Sequence, residues 1–192
     1  LGELDAAIAA EVCDLEIWPV NPRDNPVTEL GYLPELQPVT TTGDATSLLA
    51  RYRAIPRYLD GSAALLLAGG ARGLFATSES VARGVAMVDA ELARPVAKQA
   101  LLGPATKPHP DWPAGAEARF RSELEALVAG PIRDAFLRYR QVLSERIVPH
   151  ARDGEHSGLS SLPMGEACYR AEIEAFTTLP LAAAEVHRLG HE

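Results

Sequence analysis

The sequence predicts an all-α fold, an irregular multi-helix array with long proline-rich loops. Three observations predict it. Alanine and leucine supply most of the apolar share while aromatic residues make up only 6%, apolar residues recur every three to four positions, and no segment alternates with period two as a strand would. Such a composition favours helices packed by small and aliphatic side chains.

The front of the chain predicts one helix followed by a long loop. Residues 1–15 carry apolar side chains every fourth position, which predicts a helix with one buried stripe. The stripe consists of Leu4, Ile8 and Val12. Residues 18–38 contain five prolines with polar residues between them, and proline fixes φ and removes a backbone donor. An irregular, extended loop is therefore expected there rather than a helix.

Two further helices are expected before the middle of the chain. The first begins with cap residues at 42–44 and reaches the Gly69-Gly70 pair, with Pro56 as a kink or a new start. The second opens at 77–79 and ends or kinks at Pro95. A proline-rich linker over 103–113 follows, so we expect one helical segment, 1–192, with sub-parts 1–102 and 114–192.

The second sub-part carries the strongest helical signal. Apolar residues keep a three-to-four spacing from 124 to 147 across Pro131, which predicts two helices meeting there or one kinked helix. A polar loop is expected at 152–162, a helix at about 164–176, and a last helix from Pro180. Three residues of the last helix are expected to face inward, namely Ala182, Val186 and Leu189.

Charge and hydropathy argue against two classes of partner. The formal net charge is −8, from 18 basic and 26 acidic residues, and a surface of that sign repels phosphate backbones. Nucleic acid is therefore not expected as a partner. No apolar run approaches the ~18 residues that span a bilayer, and the longest covers only 63–68. We expect no membrane partner and a cytoplasmic location.

The two cysteines, Cys13 and Cys168, lie far apart in the sequence. Helical periodicity gives each the role of a small buried apolar residue. The alternative is a disulfide, which requires the fold to bring their Cα atoms within ~7 Å. The sequence has no CxxC motif and no set of Cys and His residues at metal-ligand spacing, so a zinc knuckle is not expected.

The histidines offer one arrangement with chemical interest. His187 and His191 are four residues apart, so both imidazoles lie on one helical face, as in the HExxH motif of zinc proteases. Arg188 occupies the general-base position of that motif and accepts no proton at neutral pH. We therefore expect no metal site in this chain, with a His187–His191 metal pair as the alternative. His109 and His156 are expected to be solvated in polar loops.

A family resemblance rests on three ordered segments near the end of the chain. They are residues 160–169 (SSLPMGEACY), 177–179 (TTL) and 184–190 (AEVHRLG), with supporting pieces at 18–21 (WPVN), 56–59 (PRYL), 148–149 (VP) and 158–159 (GL). The series resembles the bacterial domain-of-unknown-function 885 family (DUF885). That family shows Leu-Pro-x-Gly, a tyrosine-bearing helix, a Thr-Thr turn and a helix with His-x-x-Gly or His-x-Leu-Gly.

The resemblance implies a part of a larger protein. Members resemble helical zinc peptidases of the carboxypeptidase and oligopeptidase sort, whose HExxH helix lies well beyond the Thr-Thr turn. This chain would then be the N-terminal, non-catalytic portion of a peptide hydrolase. No cofactor is expected in this chain, and zinc is expected in the full-length protein. A self-contained helical binding or scaffold domain is the alternative.

The same resemblance suggests where substrate and partners would meet the chain. Tyr169 and His187 are the candidates for side chains that face the cleft. The alternative for Tyr169 is a core position with its hydroxyl bound to backbone. The alternative for His187 is a histidine that caps the end of a helix. Gly165 is interpreted as a backbone requirement at a helix start. We also expect exposed apolar surface over residues 169–189, with a peptide substrate in the full-length protein and self-association or contact with its C-terminal part.

Overall fold

A computed structural model describes residues 2–191. Within them the fold is all-α, as predicted, and no strand forms. The helices are α1 (Gly2–Ala10), α2 (Pro26–Leu36), α3 (Thr42–Ala71), α4 (Ser78–Ala93), α5 (Ala116–Leu127), α6 (Arg133–Val142), α7 (Gly165–Thr177) and α8 (Ala183–Leu189). In this described part, no helix is both long and apolar enough to cross a bilayer.

The long helix α3 forms the centre of the structure and packs against α5 and α6. It begins with a capping box: the Thr41 hydroxyl accepts from the Asp44 N–H, and the Asp44 carboxylate accepts from the Thr41 N–H at 2.7 Å. Its core face is buried at three-to-four spacing by Leu48, Leu49, Tyr52, Ile55, Leu59, Ala63 and Leu66. Tyr52 donates from its buried hydroxyl to the Leu101 carbonyl at 3.0 Å.

Of the two alternatives predicted at Pro56, a kink or a new start, the new start is wrong, because α3 continues through Pro56 as one element. Proline removes one donor and crowds the preceding turn, but the burial of side chains on both sides of Pro56 holds the helix together. Packing outweighs the local penalty.

The prediction of an irregular loop over 18–38 is wrong in its second half, which forms α2. Asn25 caps this helix by accepting hydrogen bonds from the N–H groups of Val27 and Thr28, at 2.9 and 3.2 Å. Pro26 occupies the first helical turn, where its fixed φ suits the helix and its missing N–H costs nothing. The proline-rich composition of this segment therefore led to the wrong prediction, because one of its prolines marks the start of a helix.

The segment between α4 and α5 also holds more structure than a linker. Ala100–Thr106 forms a 3₁₀ helix that packs against α2 and α5. Buried residues here include Leu101 and Leu102. Pro104 lies within this 3₁₀ helix and is itself buried.

The predicted kink of the long C-terminal helical stretch is confirmed. Val128–Ile132 forms a π-helical turn between α5 and α6, in which Gly130 departs from helical geometry next to Pro131. A second π-helical turn, Leu143–Ile147, follows α6. The core side chains keep facing inward through both turns, and Leu124, Val128, Ile132, Phe136, Tyr139, Leu143 and Ile147 are all buried.

Two ends of the chain pack differently from the prediction. Leu4 and Ile8 of α1 are each 62% exposed, so the expected buried stripe of the first helix does not form. In α8 the expected inward residues Ala182 and Leu189 are exposed, while Val186 is partly buried. Both helices lie against α7 at the periphery. Apolar residues at helical spacing are therefore not buried there, because the main core lies elsewhere.

Candidate functional site

The first cleft candidate, Tyr169, lies on α7 beside a groove of about 390 Å³. We call this the α7 groove. It is lined by Glu166, Tyr169, Arg170, Ile173, Glu174 and residues 180–183. Tyr169 is 44% exposed, and within residues 2–191 its hydroxyl has no hydrogen-bond partner. The alternative of a core tyrosine bound to backbone is therefore wrong, because its phenol is open to solvent beside the groove.

The α7 groove combines an apolar residue with charges of both signs. Ile173 is buried and supplies the apolar part. Arg170 and Glu166 form an exposed ion pair at 3.5 Å, one helical turn apart, and Glu174 adds a second carboxylate. An exposed pair of this kind contributes little to stability, so both side chains remain available to a polar ligand.

The Thr-Thr turn sets the direction in which the chain leaves α7. Thr178 adopts a left-handed conformation with φ +60° and donates from its N–H to the Glu174 carbonyl at 2.8 Å. The Thr177 hydroxyl donates to the Ile173 carbonyl at 2.6 Å and accepts from the Leu179 N–H at 3.2 Å. These hydrogen bonds turn the chain back along the groove.

The start of α7 requires a glycine, as interpreted from the sequence. A Cβ at Gly165 would lie 1.7 Å from the Leu159 carbonyl oxygen, a distance at which the backbone must move. Met164, directly before it, takes a left-handed conformation with φ +58°. The Leu-Pro-x-Gly segment therefore brings two stretches of backbone into close approach and fixes the orientation of α7.

The second cleft candidate, His187, lies on α8 and is exposed. It does not line the α7 groove, so the structure does not bring it together with Tyr169. Its nearest notable neighbour is His191: the two Nε2 atoms are 3.2 Å apart and the rings meet edge to face. The i, i+4 spacing thus places both imidazoles side by side, as predicted.

The cysteines are joined. Cys13 and Cys168 form a disulfide with a Cα–Cα distance of 4.7 Å. Both are buried, as expected, but the interpretation as two free apolar residues is wrong. The bond attaches the 3₁₀ turn after α1 to α7. Asp14 next to it accepts a two-pronged ion pair from Arg72 at the end of α3.

Two other cavities were not predicted. One, of about 530 Å³, lies beside His109 and Trp112, whose rings stack at 4.0 Å. The Nε2 atom of His109 is buried and has no hydrogen-bond partner in the described part of the chain. The expectation of a solvated His109 is only partly right, because the side chain is half-buried and one face of its ring stacks on Trp112. His156 is exposed, as expected, and contacts Asp153 at 2.8 Å.

The second cavity, of about 440 Å³, lies between Arg152 and Trp18. The guanidinium of Arg152 donates to the carbonyls of Phe75 and Gly158, each at 2.7 Å, and lies 5.7 Å from the Trp18 ring centre. Burial lowers the pKa of Arg152. Its backbone also pairs with Thr77 in an isolated bridge. The sequence placed Arg152 in a polar loop and gave no signal of this role.

Residues 2–191 contain no group of three or more His, Cys, Asp or Glu side chains that could hold a metal ion.

The family model described as a bacterial protein of unknown function (DUF885) matches residues 2–192. The chain belongs to this family. The match covers α1 to α8 of the described residues 2–191 and confirms the family resemblance. No curated protein and no solved structure matches the DUF885 chain.

Proposed function

We propose that this chain forms a non-catalytic helical wall of a zinc-dependent peptidase-like hydrolase that acts on peptides. The observation that carries the proposal is the α7 groove, in which an exposed phenol, an apolar residue and charges of both signs lie together. An extended peptide offers matching chemistry, because its side chains can contact the apolar part while its amides reach the polar groups.

The proposal assigns no catalytic step to these residues. Zinc in hydrolases polarises the scissile carbonyl and activates water when three protein ligands hold it. The described residues do not fit that requirement, since no three suitable donors converge. In this proposal the zinc ligands come from a further part of the protein, and the DUF885 chain shapes and orients the peptide.

Exposed apolar side chains beside the groove support a larger assembly. Phe176 is 85% exposed, and Leu179 and Leu189 are about half exposed, which matches the expected exposed surface over 169–189. Such side chains are commonly covered by a partner surface. Contact with a further part of the protein, or self-association, is the proposed cover. Sedimentation velocity and ANS fluorescence of the 192-residue chain test it, and a clean monomer that binds no ANS contradicts it.

The function is tested by peptide hydrolysis. The protein translated from the complete gene is incubated with a mixture of fluorescence-quenched peptides, with zinc and after chelation. We expect cleavage that zinc restores, and a severalfold higher KM with little change in kcat for Tyr169→Ala. Tyr32→Ala is the matched control, because Tyr32 is an exposed tyrosine of α2, away from the groove. Absence of zinc-dependent cleavage would overturn the proposal.

A second candidate is a self-contained helical binding or scaffold domain. One observation favours it: a continuous core runs from Trp18 to Leu162. If the complete protein cleaves nothing while the chain still binds peptides in a manner that Tyr169→Ala weakens, this second function is supported instead.

The compartment proposed from the sequence is the cytoplasm. The Cys13–Cys168 disulfide argues against a reducing compartment, because structural disulfides persist mainly in oxidising ones. Thiol labelling of the protein in intact cells decides between them. Two labelled thiols would support the cytoplasm, and protected cysteines would support an oxidising location.

A further inference from the structure

We propose that His187 and His191 form a two-ligand site for a divalent transition metal, with Cu²⁺, Ni²⁺ and Zn²⁺ as the ions that suit it. This site is separate from the zinc of the proposed hydrolase and does not depend on that function. Both side chains are exposed, and their Nε2 atoms lie 3.2 Å apart.

The distance between the two nitrogens fits two bonds to one ion. Histidine nitrogens bind zinc at about 2.0–2.1 Å. Two bonds of that length to nitrogens 3.2 Å apart enclose an angle of roughly 100°. This angle lies between the values for neighbouring ligands in square or octahedral and in tetrahedral coordination. The spacing of the two nitrogens therefore suits one shared ion, which would replace the hydrogen bond between the rings, and water completes its coordination.

The chemistry of the donors sets the selectivity. Imidazole nitrogen suits zinc, copper and nickel, whereas magnesium and calcium prefer oxygen ligands. Affinity for nitrogen sites rises from nickel to copper along the first-row series. Because no third His, Cys, Asp or Glu joins the pair within residues 2–191, the site is open on its solvent side and exchanges ions readily.

Metal binding would stabilise α8. This helix has seven residues and buries none of them, and helices shorter than about 12–15 residues are marginal in water without packing. An ion that bridges positions i and i+4 holds the last turn in helical geometry, and any ligand that binds the folded form preferentially shifts the equilibrium towards it. The site thus links metal binding to order at the end of the described chain.

The test is titration of the tag-free 192-residue chain with Ni²⁺ and Cu²⁺ by isothermal calorimetry. One ion per chain is expected, with affinity reduced at least tenfold in His187→Ala and in His191→Ala. His156→Ala is the matched control and should bind as the wild type does, since His156 is also exposed but pairs with Asp153. Magnesium should not compete.

A second measurement, amide hydrogen exchange, reports on the same site independently of the binding affinity. Slower amide exchange at residues 187–191 in the presence of Ni²⁺, absent in His191→Ala, is expected. Absence of binding by the wild type overturns the proposal. So does undiminished binding in both His187→Ala and His191→Ala, or an equal loss in His156→Ala, because each places the ion elsewhere. Circular dichroism checks that the variants fold, and α8 lies outside the buried core.

Discussion

Cys13 and Cys168 are 155 residues apart in the sequence, yet their Cα atoms lie 4.7 Å apart and a disulfide joins them. The bond connects the turn after α1 to α7, the helix that also carries the α7 groove. Apart from that turn, α1 packs mainly against α7, and Leu4 and Ile8 face solvent. The disulfide is therefore a covalent restraint on a helix whose Leu4 and Ile8 side chains lie outside the core.

Removal of this disulfide should destabilise the protein. The paired substitutions Cys13→Ser and Cys168→Ser are expected to lower the free energy of unfolding by about 2–5 kcal/mol, because the crosslink closes a long loop and restricts the unfolded chain. Urea denaturation measures the change, and hydrogen exchange should show loss of protection in α1. Reductant should weaken the wild type and leave the double variant unchanged. Equal stability of both proteins would show that the bond does not form.

Two glycines of α3 should respond in opposite directions to alanine. A Cβ at Gly69 would lie 2.2 Å from the Ile17 carbonyl oxygen, so Gly69→Ala should destabilise the protein by about 1–3 kcal/mol through overpacking. Gly61 has no neighbouring atom within 4 Å of the same position. Gly61→Ala should stabilise by about 0.5–1 kcal/mol, because alanine is the better helix former. Thermal unfolding of both variants tests the contrast, and equal shifts would contradict the close approach.

Acid should remove stability that two aspartates provide. Hydrogen bonds from Arg138 and Arg140 hold the pKa values of Asp60 and Asp89 below the ordinary value of 3.8. A carboxylate with a lowered pKa in the folded state stabilises the protein fully above pH 3.8, and this contribution is lost as the pH falls through the folded value. The contribution of each pair is small, because both pairs are exposed to solvent.

The measurement is the free energy of unfolding from pH 7 to pH 2 for the wild type and Asp89→Asn. The variant should be less stable at pH 7, and the two curves should converge below pH 3.8. Asp111→Asn is the control, because it removes the same charge from an exposed turn. A constant difference between the wild type and Asp89→Asn across this range would contradict the assignment.

Local rules predicted much of the fold because they act over a few residues. The capping residues predicted at 42–44 and the three-to-four spacing through Tyr52 and Leu59 located α3, although the N-cap in the structure is Thr41. The same rules failed at α2, where the Asn25 cap and Pro26 form a helix start inside a proline-rich stretch. Proline is a helix breaker in the interior and a favoured residue in the first turn, and composition alone does not distinguish the two.

The candidate site was predicted only in part. The sequence pointed to Tyr169, His187 and His191 by motif and spacing, and the structure shows the two histidines side by side with Tyr169 separate from them. The environments of Arg152 and His109 gave no sequence signal. Arg152 is held by the carbonyl of Phe75, which is distant in the chain. His109 stacks on the nearby Trp112, whose indole N–H donates to the distant Thr40 carbonyl.

By itself the sequence determined the all-α class, the positions of most helices, the need for glycine at Gly165 and membership of the DUF885 family. Only the tertiary structure decided that Cys13 bonds to Cys168 and that the predicted inner face of α8 is exposed. The physical reason is the distance along the chain over which each kind of interaction acts. Helical hydrogen bonds and side-chain periodicity link residues about four apart, whereas burial and disulfide pairing depend on which distant segment packs alongside.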